Sequence, residues 1–444
     1  MKRLPAAIFV VAFFTIAGPA SAATLIVDDG GPVTCPGATY VSIQPAIDDA
    51  VADDTVEVCA GNYPENLNLA KDITLNGHQD GVDARGRAAD EAVVTGSGIL
   101  LELNTGVAGA TVDGFTFMGG TNAIESDTGP LDGLAILNNR VLGFTASGIF
   151  LNDPGTDITV HQNVVDGSSS TSGGALVHLD QDAFDGFHLT SNNIVNGADG
   201  TGLFSDGSRN VGMSGTRSPL VDGNLFDGNE TGANLGRKSF EFATISENTF
   251  SNSGFDGLQG GPADSSIIDN VFEDNGRSGL ALTGFGGATD LTRGAQRNSV
   301  EGNTFTGNLS EALFFSSGQA AGTISTNTAN QNNIDGNTNG AVYSGTETIN
   351  VECNWWGDVS GPTAVDNPGG TGDSVVGAGL DYRPWLIAPA PDGECLGPLP
   401  VPQSADDCKK GGWQNLTDDQ GRPFNNQGDC VSYVATGGTN PAAG

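Results

Sequence analysis

The chain has 444 residues, of which 67 are glycine, 53 are Asp or Glu and only 17 are Lys or Arg, so its formal net charge at pH 7 is −36. This excess of acid excludes nucleic-acid binding, because affinity for phosphates comes from Lys and Arg, and the lack of a Gly-x-y period excludes a collagen-like chain. With 37% hydrophobic residues the chain should fold. The acidity is typical of a charge-solubilised polyanion, a halophilic surface or a Ca²⁺-binding protein, and composition does not choose among the three.

The first 22 residues have the pattern of a secretory signal peptide. Lys2 and Arg3 precede an apolar stretch over residues 4–17, and Ala20, Ser21 and Ala22 form a small-residue cleavage site. We therefore expect export to the extracellular space or the periplasm. No later segment has the roughly 18 apolar residues that a membrane span needs, so we expect a soluble mature chain.

A short capping helix is predicted near the start of the mature chain. Ile43, Ile47 and Val51 recur at four-residue spacing, and Pro45 falls in the first turn, where its missing N–H costs little. The helix should plug the N-terminal end of a repeat structure, because open ends expose core and strand edges. Residues 55–63 then predict the strand and turn that open the first coil.

An internal repeat organises the chain between residues 100 and 356. Each unit has the phrase Asn-x-(Phe/Val/Ile), a few small polar residues, and then Gly followed by a short apolar strand. The phrases begin at Asn139, Asn163, Asn193, Asn224, Asn248, Asn270 and Asn303, and the glycines are Gly148, Gly174, Gly202, Gly232, Gly257 and Gly279. Successive glycines are 26, 28, 30, 25 and 22 positions apart by subtraction. Such a period indicates stacked repeats rather than a single globular core.

The length and alternation of the segments indicate which repeat architecture the chain adopts. The segments are too short and too rich in Gly and Asn for helices, and they alternate with period two. One coil of a right-handed parallel β-helix uses about this many residues in three short strands, each about 4.8 Å from its equivalent in the next coil. Asn tolerates left-handed bends, and stacked asparagines can bond each other's amides. The sequence therefore predicts an all-β fold, a single-stranded right-handed parallel β-helix over residues 24–388.

The C-terminal part has a different composition. Residues 353–357 and 381–385 contain three of the four tryptophans, which we interpret as a closing cap, with a sugar-stacking surface as the alternative. Residues 389–403 are rich in proline and predict a stiff linker. Residues 404–444 predict a small module that a disulfide stabilises. Its role, attachment to a surface or protection of the end, is left open.

Six cysteines in an exported chain predict disulfides. Of the 15 connectivities, the simplest joins cysteines that are near in sequence. The predicted pairs are Cys35 with Cys59, Cys353 with Cys395 and Cys408 with Cys430. No CxxC or Cys/His spacing suggests a metal site.

Several motifs resemble the pectin lyase-like β-helix superfamily. They include residues 42–47, 54–58 and 62–65 at the start, residues 112–117, and residues 354–357 with Gly361 and Pro362. The tail resembles a short Cys/Trp module at the ends of secreted bacterial proteins. The resemblance implies the β-helix fold over about residues 38–388. It does not imply one activity, since the superfamily holds lyases, hydrolases, esterases, epimerases, adhesins and proteins without known activity.

The catalytic signatures of that superfamily are incomplete in this chain. Arg217 and Pro219 lack the second arginine of the pectate lyase signature, and His78 stands in Gly-His-Gln where polygalacturonase-like hydrolases have Gly-His-Gly. Asp153 and Pro154 lack the His-Asp half of the alginate epimerase motif. No activity is transferred by motif.

Strand alternation nonetheless predicts a candidate site on the outside of the middle coils. If the glycines are in register, the residues two and four positions after each one point outward. Two positions after glycine lie Phe150, Leu176, Phe204 and Asn234, which with Asn152 form a predicted substrate-binding surface. Beside them lie the candidate catalytic residues His178, Asp180, Asp206, Arg209, Arg237 and Lys238.

This surface suits a sugar ring stacked on aromatic side chains beside charged groups. Elimination on a uronate would use Arg237 or Lys238 to neutralise the carboxylate and His178 or Arg209 as the base. The residues themselves favour a structural interpretation, in which His178 is a solvated ladder residue, an inserted loop covers the phenylalanines and the charged groups only solvate the surface.

Two functions of different classes follow. The first is a secreted acidic protein that binds glycans, cell-envelope or extracellular polysaccharide, through the flank of the coil. The second is a polysaccharide lyase or a glycoside hydrolase, the latter using Asp180 and Asp206 as its carboxylate pair. The incomplete signatures favour the first. We expect a monomer without a cofactor; Ca²⁺ is left open, since the sequence has neither an EF-hand loop nor a Gly-Gly-x-Gly-x-Asp repeat.

Overall fold

The computed structural model describes residues 22–31, 35–88, 90–126, 129–152, 155–171, 173–180, 184–205, 216–235, 240–283, 294–316, 324–396, 400–419, 422, 424–440 and 442. The described strands form three long parallel sheets and one short one. The chain visits sheets A, B and C in turn and then returns to sheet A one layer further on. This winding confirms the predicted β-helix.

The strands are numbered in chain order and grouped here by sheet. Sheet A contains β1 (Thr24–Val27), β2 (Thr55–Val58), β5 (Thr74–Asn76), β8 (Thr111–Asp113), β11 (Ala135–Leu137), β15 (Thr159–His161), β19 (His188–Thr190), β23 (Leu220–Asp222), β27 (Thr244–Ser246), β30 (Ser266–Ile268), β33 (Ser299–Glu301), β36 (Thr328–Asn330), β39 (Ile349–Asn350) and β41 (Leu380–Asp381). Sheet B contains β3 (Gly61–Tyr63), β6 (Ala92–Gly96), β9 (Phe115–Gly119), β12 (Arg140–Leu142), β16 (Val164–Asp166), β20 (Asn193–Val195), β24 (Leu225–Asp227), β28 (Thr249–Ser251), β31 (Val271–Glu273), β34 (Thr304–Thr306) and β37 (Asn333–Ile334). Sheet C contains β4 (Leu67–Leu69), β7 (Ile99–Leu103), β10 (Asn122–Ser126), β13 (Ser147–Leu151), β17 (Val177–Leu179), β21 (Thr201–Ser205), β25 (Thr231–Leu235), β29 (Leu258–Gly260), β32 (Ser278–Leu282), β35 (Glu311–Phe315), β38 (Asn339–Tyr343) and β40 (Val375–Val376). The short sheet D contains β14 (Gly155–Thr156), β18 (Phe184–Asp185), β22 (Thr216–Arg217) and β26 (Phe240–Glu241).

A ladder of asparagines marks the bend between sheets A and B. Its members are Asn139, Asn163, Asn192, Asn224, Asn248, Asn270, Asn303, Asn332 and Asn354, all buried. From Asn139 onward, each backbone N–H donates to the side-chain Oδ1 of the next member at 2.8–3.0 Å. The residue before each asparagine has a positive φ between 52° and 69°. The predicted stacking is confirmed, with the correction that Asn192 rather than Asn193 is the ladder residue.

Phenylalanine rings stack inside the coil. Phe226, Phe250, Phe272 and Phe305 follow one another in sheet B with centroids 4.8–5.0 Å apart and planes within 6°. All four are fully buried. They occupy the x-Phe position of the repeat phrase, so the phrase supplies both the bend and the core.

The predicted N-terminal helix is present as α1 (Ile43–Asp49), with Ile43 and Ile47 buried. Glu65 accepts hydrogen bonds from the N–H groups of Ile43 and Gln44 at its start, and Lys71 donates to main-chain carbonyls at its end. The expectation for Val51 was wrong, because the helix stops at Asp49 and Val51 is 57% exposed. Strand β1 pairs with β2, so sheet A begins before the predicted opening strand.

The three predicted disulfides are present: Cys35–Cys59, Cys353–Cys395 and Cys408–Cys430, with Cα atoms 6.1, 5.1 and 5.7 Å apart. Trp356 and Trp385 are buried at the C-terminal end of the sheets, where their rings pack in the core, whereas the third tryptophan of these segments, Trp355, is half-buried. The tail forms a separate small cluster around Cys408, Cys430 and helix α2 (Gln427–Ala435). No helix in the described ranges is long and apolar enough to cross a membrane.

Candidate functional site

The outer face of sheet C carries one column of side chains that runs from coil to coil. Parallel pairing places each member beside its equivalent in the next strand, about 4.8 Å away. In order, the column is Asn68, Glu102, Glu125, Phe150, His178, Phe204, Asn234, Gln259, Ala281, Phe314, Val342 and Val376. We call it the outer column.

Three consecutive rings form an aromatic strip at the middle of the outer column. The centroid of the His178 ring lies 4.7 Å from that of Phe150 and 5.0 Å from that of Phe204. All three side chains are half-buried, while their strand neighbours Ile149, Leu151, Val177 and Leu179 face the core. The strip is therefore an apolar platform fixed to a rigid sheet and partly open on its outer side.

Amide and charged groups continue the face beyond the strip. Asn234 and Gln259 follow Phe204 in the outer column and are half-buried. Arg277 donates from Nε to the buried Asp256 carboxylate at 2.8 Å and from Nη2 to Gln259 Oε1 at 3.3 Å. The hydrogen bonds that Arg277 donates to the Asp256 carboxylate raise the pKa of the Arg277 guanidinium. This pair keeps a cation, 50% exposed, at the edge of the face.

Two carboxylates meet around Ser278 in the same region. The Ser278 N–H donates to Asp256 Oδ1 at 3.0 Å, and the Ser278 hydroxyl donates to Glu311 Oε2 at 3.0 Å. Glu311 lies one coil further on, beside Ser278. The repeat analysis did not select Asp256, Arg277 or Glu311, because they lie at or before the starts of their strands, outside the two outward positions counted after each glycine.

On the other side of the strip, Glu125 and Glu102 precede Phe150 in the outer column. Asn122 donates to Glu125 Oε2 at 2.7 Å, and Asn68 donates to Glu102 Oε2 at 3.4 Å. The sequence analysis missed both glutamates, because their strands lack the Asn-x-Phe and Gly phrase that located the later coils. Their alternation with buried leucine and isoleucine was the available signal.

The prediction for Leu176 was wrong. Leu176 is 0% exposed and its side chain lies in the core beside Gly167 and Gly197. Val177, not Leu176, is level with Leu203 in β21. The coil has two extra residues near Gly174, so Leu176 takes the inward position that glycine occupies in the neighbouring coils. For the same reason His178 aligns with Phe150 and Phe204 rather than with Asn152.

The other predicted site residues are only partly placed. Asn152 is half-buried at the end of β13, where its N–H donates to the Ser126 hydroxyl at 3.0 Å. Asp180 follows β17, and its N–H donates to the Leu151 carbonyl at 2.9 Å. The remaining four candidates, Asp206, Arg209, Arg237 and Lys238, lie outside the described residues.

Away from the outer column, the described residues also border clefts, including two of similar volume. One of about 400 Å³ lies between the bend of sheets A and B and the chain at Ala390, with Asp269, Glu301 and Gln331 on its wall. The other, of about 410 Å³, is bordered by Tyr382 and Asp366 near the C-terminal end of the coil. Neither cleft includes a residue of the aromatic strip. Within the described part of the chain, no group of three or more His, Cys, Asp or Glu side chains is arranged to hold a metal ion.

Residues 190–370 match the family model described as the right handed beta helix region. The chain is a right-handed parallel β-helix protein. Among solved structures, this β-helix protein is similar to the A-module of a mannuronan C-5 epimerase from Azotobacter vinelandii, with 14% identity, a TM-score of 0.45, and coverage of 77% of this chain and 94% of that one. It is also similar to an alginate lyase from Paenibacillus sp., with 12% identity, a TM-score of 0.42, and coverage of 74% and 99%.

A third similar structure is the catalytic unit of an α-1,3-glucanase from Streptomyces thermodiastaticus, with 16% identity, a TM-score of 0.45, and coverage of 83% of this chain and 70% of that one. At these identities the likeness concerns the fold alone. No curated protein matches the sequence of this β-helix protein.

Proposed function

We propose that this β-helix protein is exported and binds a glycan on the outer face of sheet C, without turning it over. The observation that carries the proposal is the aromatic strip of Phe150, His178 and Phe204, whose rings follow one another on the outside of the sheet with planes inclined by 41° and 76°. Its half-buried rings are held by a rigid scaffold rather than by loops. A rigid platform favours binding, because little side-chain entropy is lost when a ligand docks.

The chemistry of the strip suits a sugar chain. The C–H faces of a pyranose are apolar and can pack on aromatic rings, which contribute large hydrophobic areas to binding. Binding sites of this kind combine an apolar surface with a few well-placed polar groups. Asn234 and Gln259 place side-chain amides directly beyond Phe204 in the outer column. A chain running along the column would therefore meet rings first and hydrogen-bonding groups next.

Export is supported by the three disulfides, which are typical of extracellular and periplasmic proteins. The cleaved signal peptide, the boundaries at residues 388 and 403, and the monomeric state remain predictions. The separate cluster around the Cys408–Cys430 disulfide supports treating the tail as a unit of its own.

Hydrolysis is the second candidate, and the convergence of Asp256 and Glu311 on Ser278 favours it over elimination. Glycoside hydrolysis uses two carboxyl groups about 5–10 Å apart. However, Asp256 is fully buried and paired with Arg277, which is the expected environment of a structural ion pair. Binding without turnover is therefore placed first.

The test is a binding and turnover assay on the mature protein with a panel of neutral, anionic and amine-bearing polysaccharides. A double variant, Phe150→Ala with Phe204→Ala, should weaken glycan binding by about tenfold, because two ring contacts are lost. Phe242→Ala is the matched control, since Phe242 is 57% exposed and lies outside the outer column.

Equal affinity of the double variant and the wild type would refute the proposed face. Release of reducing ends, or of unsaturated products that absorb ultraviolet light, would refute binding without turnover. Loss of reducing-end release in Glu311→Gln would then assign hydrolysis to the carboxylates at Ser278.

A further inference from the structure

Two glutamates lie directly beside the aromatic strip. Glu125 is level with Phe150 in the next strand, and Glu102 is level with Glu125 one strand further. Both carboxylates are half-buried on the outer face of sheet C. In the part of the chain that the structure describes, neither forms an ion pair, and their side-chain partners are the amides of Asn122 and Asn68.

Stacking two carboxylates on adjacent strands is electrostatically unfavourable. Like charges at neighbouring positions of a sheet repel, and partial burial reduces the screening by water. The two asparagine amides offset part of this repulsion but carry no charge. The face therefore carries uncompensated negative charge next to an apolar platform.

We infer that the glycan bound by this face carries free amino groups. This inference rests on the proposed function and names the substrate class of the same site. A sugar ring stacked on Phe150 would direct an ammonium substituent toward Glu125, and the next sugar of the chain would reach Glu102. The aromatic rings add to the attraction, since an ammonium group placed over the face of an aromatic ring is stabilised by a cation–π interaction. A uronate chain is disfavoured by the same carboxylates and by the net charge of −36.

The probes are chitosan oligomers, their fully N-acetylated counterparts of equal length, and oligogalacturonates. The wild-type protein should bind the chitosan oligomer about fivefold more tightly than the N-acetylated one, the scale of a partly exposed ion pair. The preference should shrink as ionic strength rises. Oligogalacturonate should bind more weakly than either.

Glu125→Gln and Glu102→Gln should each lower the ratio of chitosan to N-acetylated affinity, and together they should bring it to about one. The matched control is Glu273→Gln, which removes the same charge from the outer side of sheet B. If Glu273→Gln lowers the ratio as much as Glu125→Gln does, the preference comes from the overall charge and the inferred contact is wrong.

The outcomes separate this inference from the proposed function. If the wild type binds both oligomers equally and Phe150→Ala with Phe204→Ala weakens both, the glycan face stands and the amine preference is refuted. If the wild type binds none of the glycans, the proposed function fails and the inference fails with it. A preference for oligogalacturonate would overturn the inference alone.

Discussion

At the scale of single residues, close contacts between neighbouring coils explain why the repeat phrase combines glycine with phenylalanine. A Cβ atom on Gly202, Gly232 or Gly257 would lie 3.0 Å from the ring of the stacked phenylalanine in the next coil. The same Cβ atom would lie still closer to the carbonyl oxygen of the next coil's glycine, 2.4 Å away for Gly202 and Gly232 and 2.8 Å away for Gly257. Glycine is therefore needed because this carbonyl and the ring together fill the space that a side chain would occupy. The glycine and the phenylalanine, some twenty residues apart in sequence, specify one packing unit.

Gly257→Ala should destabilise the protein by about 1–3 kcal/mol, the cost of overpacking a close-packed core. The added methyl would lie 2.8 Å from the Gly279 carbonyl oxygen and 3.0 Å from the Phe272 ring. Gly254→Ala is the control in the same coil, since its nearest neighbour would be 3.5 Å away. Thermal unfolding of the two variants measures the difference. Equal stability would show that the phenylalanine stack can shift without cost.

At the scale of elements, the first coil holds helix α1 by its two ends. Glu65 and Lys71 lie on either side of strand β4 and bind opposite ends of the helix. A carboxylate at the start and an ammonium group at the end both match the helix dipole. A seven-residue helix is not stable alone, so its position depends on these contacts and on the burial of Ile43 and Ile47.

Lys71→Met should lower the free energy of unfolding by about 1–3 kcal/mol, because hydrogen bonds to a charged group are lost and helix carbonyls are left without their donor. Its ammonium group donates to the Ile47, Asp48 and Ala50 carbonyls at 2.6–2.9 Å. Lys409→Met provides the comparison, because the Lys409 ammonium group forms an exposed ion pair with Asp406 in the tail. Denaturant titration followed by far-ultraviolet circular dichroism measures the free energies of unfolding of the two variants. A loss no larger than that of Lys409→Met would contradict the assigned role of Lys71.

At the scale of the whole molecule, the excess of negative charge and the burial of carboxyl groups both make stability depend on pH. Desolvation raises the pKa values of the carboxyl groups of Glu57, Asp113 and Asp373 above their ordinary values. All three lie in or beside the coil and are partly buried. The excess of negative charge adds a general repulsion that protonation relieves. The excess of negative charge therefore costs stability at neutral pH.

The protein should lose stability as the pH rises from about 4, the unfolded pKa of these carboxyl groups, to about 8. A carboxyl group whose pKa is raised by folding contributes stability below its unfolded pKa, and this contribution is lost as pH rises through the folded pKa. Melting temperatures across this range, at low and high salt, measure the effect. Asp113→Asn should make the melting temperature depend less steeply on pH, because it removes one carboxyl group whose pKa is raised by folding. If the pH dependence of the melting temperature is unchanged in Asp113→Asn and disappears at high salt, the whole effect comes from net charge.

The local phrase of asparagine, aromatic residue and glycine determined the winding of the chain, its ladders and its core, because each coil repeats the same short-range demands of bend and strand. Proximity in sequence was also enough for the three disulfide pairs, since each closes a short loop. Only the tertiary structure decided which residues share a column. Two extra residues near Gly174 moved Leu176 inward and aligned His178 with the phenylalanines. Glu102 and Glu125 became part of the face only through pairing between coils, because lateral register depends on the length of every connection, which the repeat phrase does not encode.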